Sequence, residues 1–306
     1  MRGAATFVVL PAKRGPGAPP IVRRLNRGKQ VANWLITGVS GGLGQALAQA
    51  ALARGDKVVG TMRKPADLGA FEALAPGLAT GVLLDLADAG AVAAAVSAAE
   101  AALGRIDRLV NNAGYGMIGA IEETSLAQAR ALLEVNLFGA IAMIQAVLPA
   151  MRARRGGHIV NITSLSGFAP WWGTGIYGAS KYALECVGQT LAQEVKPLGI
   201  HVTNVAPGGF RTGFAGSALV EAEQSIADYD DGARQSKLSL LAGRGKEHGD
   251  PAKAAQAILT ALDAPEPPFH LFLGEDALRH AREHFEFVEA EMVRWEALSL
   301  STAFVD

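Results

Sequence analysis

Tyr177 and Lys181 stand four residues apart, with Ser164 and Ser166 ahead of them across a stretch rich in Gly, Pro and Trp. On a helix that starts near Tyr177, this spacing puts a phenol and an ammonium on one face, a turn apart. A phenol ordinarily titrates near ~10, and a neighbouring cation favours its anion. The pair is therefore a candidate general acid/base near neutral pH. Ser164 is placed to hydrogen-bond the oxygen that gains or loses the proton. The same four-residue pattern also describes an exposed lysine beside a half-buried tyrosine, so its surroundings must decide between the two.

The elements that would position this pair read off in order. Asn33–Thr37 is a short apolar strand that runs into the loop GVSGGLG, Gly38–Gly44, and then into an Ala/Leu-rich helix to about Arg54. Glycines let backbone approach a pyrophosphate, and a helix N-terminus offers free N–H groups with partial positive charge. A plain tight turn with close strand–helix packing would use the same residues. Lys57–Met62 is a second strand, followed by Arg63 and Lys64. In dinucleotide folds an acid here binds the ribose 2′-OH, whereas Arg suits a 2′-phosphate. Met62 holds the acid position and Arg63 follows, which favours NADP over NAD; the alternative is a solvated surface arginine.

Val82–Leu84 leads to Asp85, and Asp107–Val110 enters Asn111-Asn112-Ala113-Gly114, residue types that suit the rim of a cofactor site or an ordinary turn. Leu126–Pro149 is a long helical pattern with Asn136 among apolar neighbours, either a structural pin or part of a polar site. His158–Thr163 is the strand that delivers Ser164. Gly199–Val205 is another, ending in Pro207-Gly208-Gly209-Phe210-Arg211-Thr212. Residues 213–249 look less regular and suit a mobile, substrate-covering segment. Asp250-Pro251 caps a helix to about Leu262, Phe269–Leu273 is a last strand, and a terminal helix over 276–296 follows. It carries Leu278, Ala281, Phe285, Val288, Met292 and Trp295 at three/four spacing, which predicts core packing, with part of the stripe free to meet a second subunit.

Alternation of strands and helices predicts an α/β fold: a Rossmann-like, doubly wound parallel sheet of about seven strands, helices on both faces, in a single domain over 31–306. Right-handed crossovers place the loops 38–44, 111–114, 164–176 and 207–212 at one sheet edge, where ligands bind. That convergence raises Tyr177 and Lys181 above chance. Residues 1–30, rich in Gly, Pro and Arg, read as a flexible extension. In the 306 residues, half are hydrophobic and the net charge is −1, which gives no electrostatic footprint for nucleic acid or an anionic membrane. No apolar run approaches the ~18–20 residues of a membrane span. The single cysteine, Cys186, excludes an internal disulfide, suits a reducing compartment and reads as a small buried side chain on a helix. The expected location is the cytoplasm. The scattered histidines form no metal set.

The chain resembles the classical short-chain dehydrogenase/reductase family over roughly residues 31–275, through TGVSGGLG at 37–44, Asp85, NNAG at 111–114, Asn136, Ser164, YGASK at 177–181 and PGGFRT at 207–212. The resemblance implies that Ser164 orients the substrate oxygen and Tyr177 transfers the proton. Lys181 would lower the tyrosine pKa and hold the nicotinamide ribose, and Asn136 would fix a water that relays protons to Lys181. Along the cofactor it implies Gly38, Ser40, Gly42, Leu43 and Gly44 at the phosphates, with Arg63 beside them. Asp85 and Leu86 would meet the adenine, and Asn112, Ala113 and Gly114 the adenosine side. Pro207, Gly208 and Thr212 would lie at the carboxamide. Many relatives carry Ser where this loop has Gly41, and NADP preference rests on Arg63 and Lys64 because the glycine loop holds no basic residue. The implied activity is an NADP(H)-dependent alcohol dehydrogenase or carbonyl reductase. An NAD(H)-dependent enzyme of the same family and a non-catalytic cofactor-sensing or scaffold protein are the alternatives. Phe168, Trp171, Trp172, Phe210 and Phe214 either wall an apolar substrate pocket or pack ordinarily. Relatives are often dimers or tetramers; the expected partner is a small alcohol, ketone or aldehyde.

Overall fold

The computed structural model describes residues 31–304; the expected N-terminal extension, 1–30, lies outside them. The strands are β1 (Asn33–Thr37), β2 (Lys57–Met62), β3 (Ala79–Leu83), β4 (Arg108–Asn111), β5 (Gly116–Ile118), β6 (Gly157–Ile162), β7 (Ile200–Pro207), β8 (Leu219–Glu221) and β9 (His270–Leu273). Between and after them run α1 (Gly42–Ala53), α2 (Leu68–Glu72), α3 (Ala89–Leu103), α4 (Leu126–Leu133), α5 (Gly139–Ala153), α6 (Gly175–Val195), α7 (Gln235–Ala242), α8 (Pro251–Leu262) and α9 (Glu275–Leu300). A seven-stranded sheet has the order β3-β2-β1-β4-β6-β7-β9 with every pair parallel, which is the expected Rossmann-like single domain.

Parallel strands buried on both faces need apolar residues of both parities. In β1, Trp34 and Ile36 face one core with Leu47 of α1 and Ile258 of α8. Leu35 faces the other with Val96 of α3, Met143 of α5 and Leu191 of α6. Asp250 starts α8 as expected, its carboxylate accepting the N–H groups of Ala252 and Lys253. The chain winds outward from β1 through β2 to β3, then restarts at β4 and winds the other way. The crevice between β1 and β4 is thus the point where strand order reverses.

Three expectations are corrected. Residues 126–153 form one continuous helix, α4 and α5 joined by a π-helical turn at Glu134–Phe138, with a stretch of mean hydropathy 1.9; it is long and apolar enough to cross a membrane. Its apolar side, Met143, Ile144, Val147 and Met151, packs into the core on the α3 side of the sheet. Burial of Val147 and Met151 on either side carries the helix past the exposed Pro149. Residues 213–249 are more regular than expected. β8 pairs in parallel with β5, a small second sheet that local sequence did not signal, and α7 follows. The buried Glu123 carboxylate pins this segment by accepting the N–H groups of Ala120 and Ile226, which also holds its pKa below the usual range. Cys186 is exposed on α6, not buried.

Candidate active site

β6 is buried throughout its last five residues and hands the chain to Ser164, whose extended backbone turns into a short 3-10 segment. The Ser164 Oγ accepts the Ser166 N–H at 3.1 Å, and its hydroxyl is hydrogen-bonded to the Tyr177 phenol. Tyr177 and Lys181 are buried in the first two turns of α6. The Lys181 Nζ donates to the Ile162 carbonyl at 2.9 Å and lies 6.0 Å from the centre of the Tyr177 ring. Both groups feel burial first. Tyr177 is pushed up to about 12, with the Ser164 hydrogen bond opposing the shift, and Lys181 is pulled down to about 8. In this structure burial is the larger influence on Tyr177, and the Lys181 ammonium is turned to the Ile162 carbonyl.

Asn136 sits in the π-helical turn, a widening of the helix that recurs at functional sites. Its Oδ1 accepts the Tyr115 N–H at 3.0 Å, and its Nδ2 donates to the Tyr115 carbonyl and to Ser180 Oγ. Asn136 thus clamps the loop after β4 to α6. A side chain at Gly114 would meet Asn136 Oδ1 at 2.8 Å and Lys181 Nζ at 3.7 Å, so these two polar groups border one space.

The glycine loop is shaped as a phosphate cradle. Gly38 and Gly42 have φ of +73° and +60°, a region that other residues rarely adopt. A Cβ on Gly44 would fall 2.3 Å from both Asn112 Nδ2 and the Gly38 carbonyl. Gly41 precedes α1 with no side chain capping it, and Ser40 beside it is exposed. The first N–H groups of α1 are left to a ligand. Thr212 closes over this end, its Cβ 3.4 Å from where a Gly42 side chain would begin. Leu43 turns its side chain toward the core on the α1 face. These features fit a dinucleotide pyrophosphate.

Around that cradle the expected residues divide. The Asn112 carboxamide donates to the carbonyls of Thr37 and Gly38, bracing the loop rather than facing outward. Ala113 packs against Gly38. Thr37 is a hub: its hydroxyl donates to the Val110 carbonyl and accepts from the N–H groups of Asn112 and Ala113. Asp85 is exposed and accepts the Ala87 N–H, whereas Leu86 is buried against Gly139 and belongs to the core. Arg63 is exposed at the end of β2, and its charge acts on the Tyr115 phenol, which burial otherwise raises. Pro207 ends β7, and Gly208 and Gly209 rest on Asp276, whose carboxylate accepts the Gly209 N–H at 2.7 Å. Asp276 and the hub role of Thr37 went unsignalled in the sequence because both depend on contacts across the sheet edge.

Beside Tyr177, Phe214 stacks at a tilt on its ring, 5.4 Å between centroids, in a small cluster with Met117, Leu132 and Ile176. Trp171 and Trp172 are exposed and line a hollow of about 370 Å³ with Ile121 and Pro170, adjoining the start of α6. Phe168 and Phe210 do not wall this space. Phe168 is buried against Phe272 and Phe285, under α9, and Phe210 packs on the α1–α8 core beside Gly249.

Comparison with known proteins agrees with this geometry. The short chain dehydrogenase family profile matches residues 32–222. The chain is 37% identical over 276 residues to Oxidoreductase BOA17 of Botryotinia fuckeliana, covering 88% of this chain and 98% of that protein. It is 36% identical over 242 residues to the 3-ketodihydrosphingosine reductase of Bacteroides thetaiotaomicron, covering 78% and 87%. Among solved structures, a short-chain dehydrogenase from Streptomyces avermitilis superposes with a TM-score of 0.85 at 40% identity, covering 90% of this chain and all of that one. A Burkholderia phymatum relative in complex with NAD gives 0.76 at 25% identity, covering 85% and 95%. A metagenomic short-chain oxidoreductase in complex with NADP gives 0.61 at 31%, covering 80% and 96%. The chain belongs to the short-chain dehydrogenase/reductase family, oxidoreductases that use NAD(P).

Proposed function

We propose that this protein is an NADP(H)-dependent alcohol dehydrogenase or carbonyl reductase acting on apolar substrates. The observation that carries the reading is the buried Ser164–Tyr177–Lys181 constellation beneath Phe214, at the same sheet edge as the glycine cradle. Nicotinamide, when bound, donates or accepts the hydride. In reduction, the Ser164 and Tyr177 hydroxyls hydrogen-bond the substrate oxygen, and Tyr177 gives it a proton. A phenol pushed up to about 12 by burial is a reluctant acid, so giving up its proton calls for a neighbouring group that stabilises the phenolate and for a relay that then replaces the proton. Lys181, cationic at neutral pH and bordering the space beside Gly114 and Asn136, is placed for that relay. Fixing substrate between Ser164, Tyr177 and Phe214 supplies the orientation that hydride transfer needs.

Arg63 supports NADP: it is an exposed cation directly after Met62, which ends β2 where NAD-binding folds place an acid. Phe214 and the hollow beside Trp171 and Trp172 support an apolar, extended substrate, in keeping with the 3-ketodihydrosphingosine in the name of one relative. A reducing cytoplasm suits the free Cys186. The test is reduction of long-chain ketones with NADPH by wild type and Tyr177→Phe. Turnover in the wild type and its loss in the variant, with NADPH binding intact, supports the reading. Full turnover in Tyr177→Phe would overturn it.

A further inference from the structure

Of the stripe on α9 expected to pack in the core, Ala281 is buried and Phe285 meets Phe168 at its edge, whereas Leu278, Val288, Met292 and Trp295 are exposed. What this helix does seat is its base. Ala277 and Ala281 are buried against Leu165, the residue after Ser164, and beside Phe272 of β9. That seating brings Asp276, in the first turn of α9, to the loop 208–214 that follows β7.

We propose that Asp276 is a positioning residue that holds this loop over the dinucleotide and sets how fast the dinucleotide leaves. Its carboxylate accepts the Gly209 N–H at 2.7 Å, and the Gly209 carbonyl accepts the Gly249 N–H at 3.0 Å. Both backbone polar groups of Gly209 are thus fastened to other segments. From there the Arg211 N–H donates to the Gly249 carbonyl at 2.9 Å and the Thr212 N–H to the Phe210 carbonyl at 2.7 Å. Thr212 Oγ1 in turn accepts the Phe214 N–H at 3.2 Å. Thr212 lies over Gly42 of the cradle and Phe214 on Tyr177, so one loop carries a group to each half of the site. Neither Gly208 nor Gly209 has a positive φ, so the backbone angle does not call for glycine at either. At Gly208 the carboxylate does: a Cβ there would lie 2.2 Å from Asp276 Oδ1, and one at Gly274 would lie 2.5 Å from the same oxygen. A Gly-Gly pair is costly to order. A loop ordered before the ligand arrives spares the ligand that cost and slows its release. The inference rests on the dinucleotide reading of the cradle and not on which substrate is reduced.

The test is stopped-flow measurement of NADPH and NADH release from the full chain, with urea unfolding alongside. Asp276→Ala should speed release of both about tenfold, the scale of one hydrogen bond to a charged group. Asp276→Asn keeps an acceptor oxygen and should recover most of that loss. Gly208→Ala reaches the same contact from the loop and should speed release by a similar factor. Joined to Asp276→Ala it should add less than about twofold, because the methyl then enters the space the carboxylate has left. Losses that multiply in the double variant overturn the proposal. So does release unchanged in Asp276→Ala while the urea midpoint falls, which would leave the aspartate a structural role alone. Faster release of NADPH but not NADH would move the effect to the 2′-phosphate and overturn it too. A wild type that binds neither dinucleotide would overturn the cofactor reading and this proposal with it.

Discussion

Two helices of this protein, α6 and α9, carry side chains at the same three/four spacing and met opposite fates. On α6, Tyr177, Lys181, Leu184 and Leu191 are buried, and the first two join Ser164 and Ile162 at the sheet edge. On α9, the stripe from Phe285 to Trp295 is exposed. Periodicity defines a face, but a face is buried only where another element has been brought against it. α6 has β6 and β7 beneath it; α9 packs on the body through Ala277 and Ala281 and leaves it beyond the contact of Phe285 with Phe168. The chemistry proposed for α6 depends on that covering, since the shifts of Tyr177 and Lys181 are effects of burial.

The comparison can be broken or sharpened by substitution. The largest effect is expected at Tyr177. Tyr177→Phe should lower kcat by about 10³-fold or more, at the scale of removing a positioned proton donor, with NADPH affinity within about twofold of wild type. Steady-state kinetics and calorimetry read both, and a parallel fall in affinity would mean the phenol acts in binding.

Next in size is the cradle. Gly44→Ala puts a Cβ 2.3 Å from Asn112 Nδ2 and from the Gly38 carbonyl, and should cost about 3 kcal/mol of stability and most dinucleotide affinity. Urea unfolding checks it; an unchanged midpoint would show that the loop shifts freely.

Lys181 offers a pH signature of burial. Its folded pKa, about 8, is depressed below the unfolded value of about 10.5, so between these the unfolded chain holds the extra proton and wild-type stability rises with pH. The contribution is complete above the unfolded pKa and is lost as pH falls through 8. Relative to Lys181→Met, wild type should therefore gain about 2 kcal/mol between pH 7 and pH 9.5. A constant difference would place the ammonium in solvent.

A smaller effect is expected at the rim. Arg63→Ala should weaken NADPH about tenfold and leave NADH nearly unchanged; equal losses would remove Arg63 from 2′-phosphate recognition. The smallest belongs to α9. Met292→Ala should shift stability by less than about 0.5 kcal/mol, whereas Leu184→Ala in α6 should cost about 3 kcal/mol. Similar costs for the two would mean that the arm packs on its own body.

Much of the site was legible along the chain because its motifs sit directly after strands. A parallel sheet sends every strand end to one edge, so GVSGGLG, NNAG, Ser164 and PGGFRT were brought together by connectivity alone. The order of strands and helices, the candidate acid/base pair and the glycine positions followed from local pattern. Tertiary structure decided the rest. It set the direction of the Tyr177 and Lys181 shifts, since desolvation depends on neighbours distant in sequence. It also sent Phe168 under α9 and Phe210 to the core, leaving Phe214 on Tyr177, although all three are aromatic residues near the same edge. Pairing of β5 with β8, about a hundred residues apart, and the bracing of Gly209 by Asp276 likewise have no local signature. Residue type and spacing determine which groups share a face; what lies against that face, and so whether they are buried, charged or reactive, is settled by contacts between segments the sequence keeps far apart.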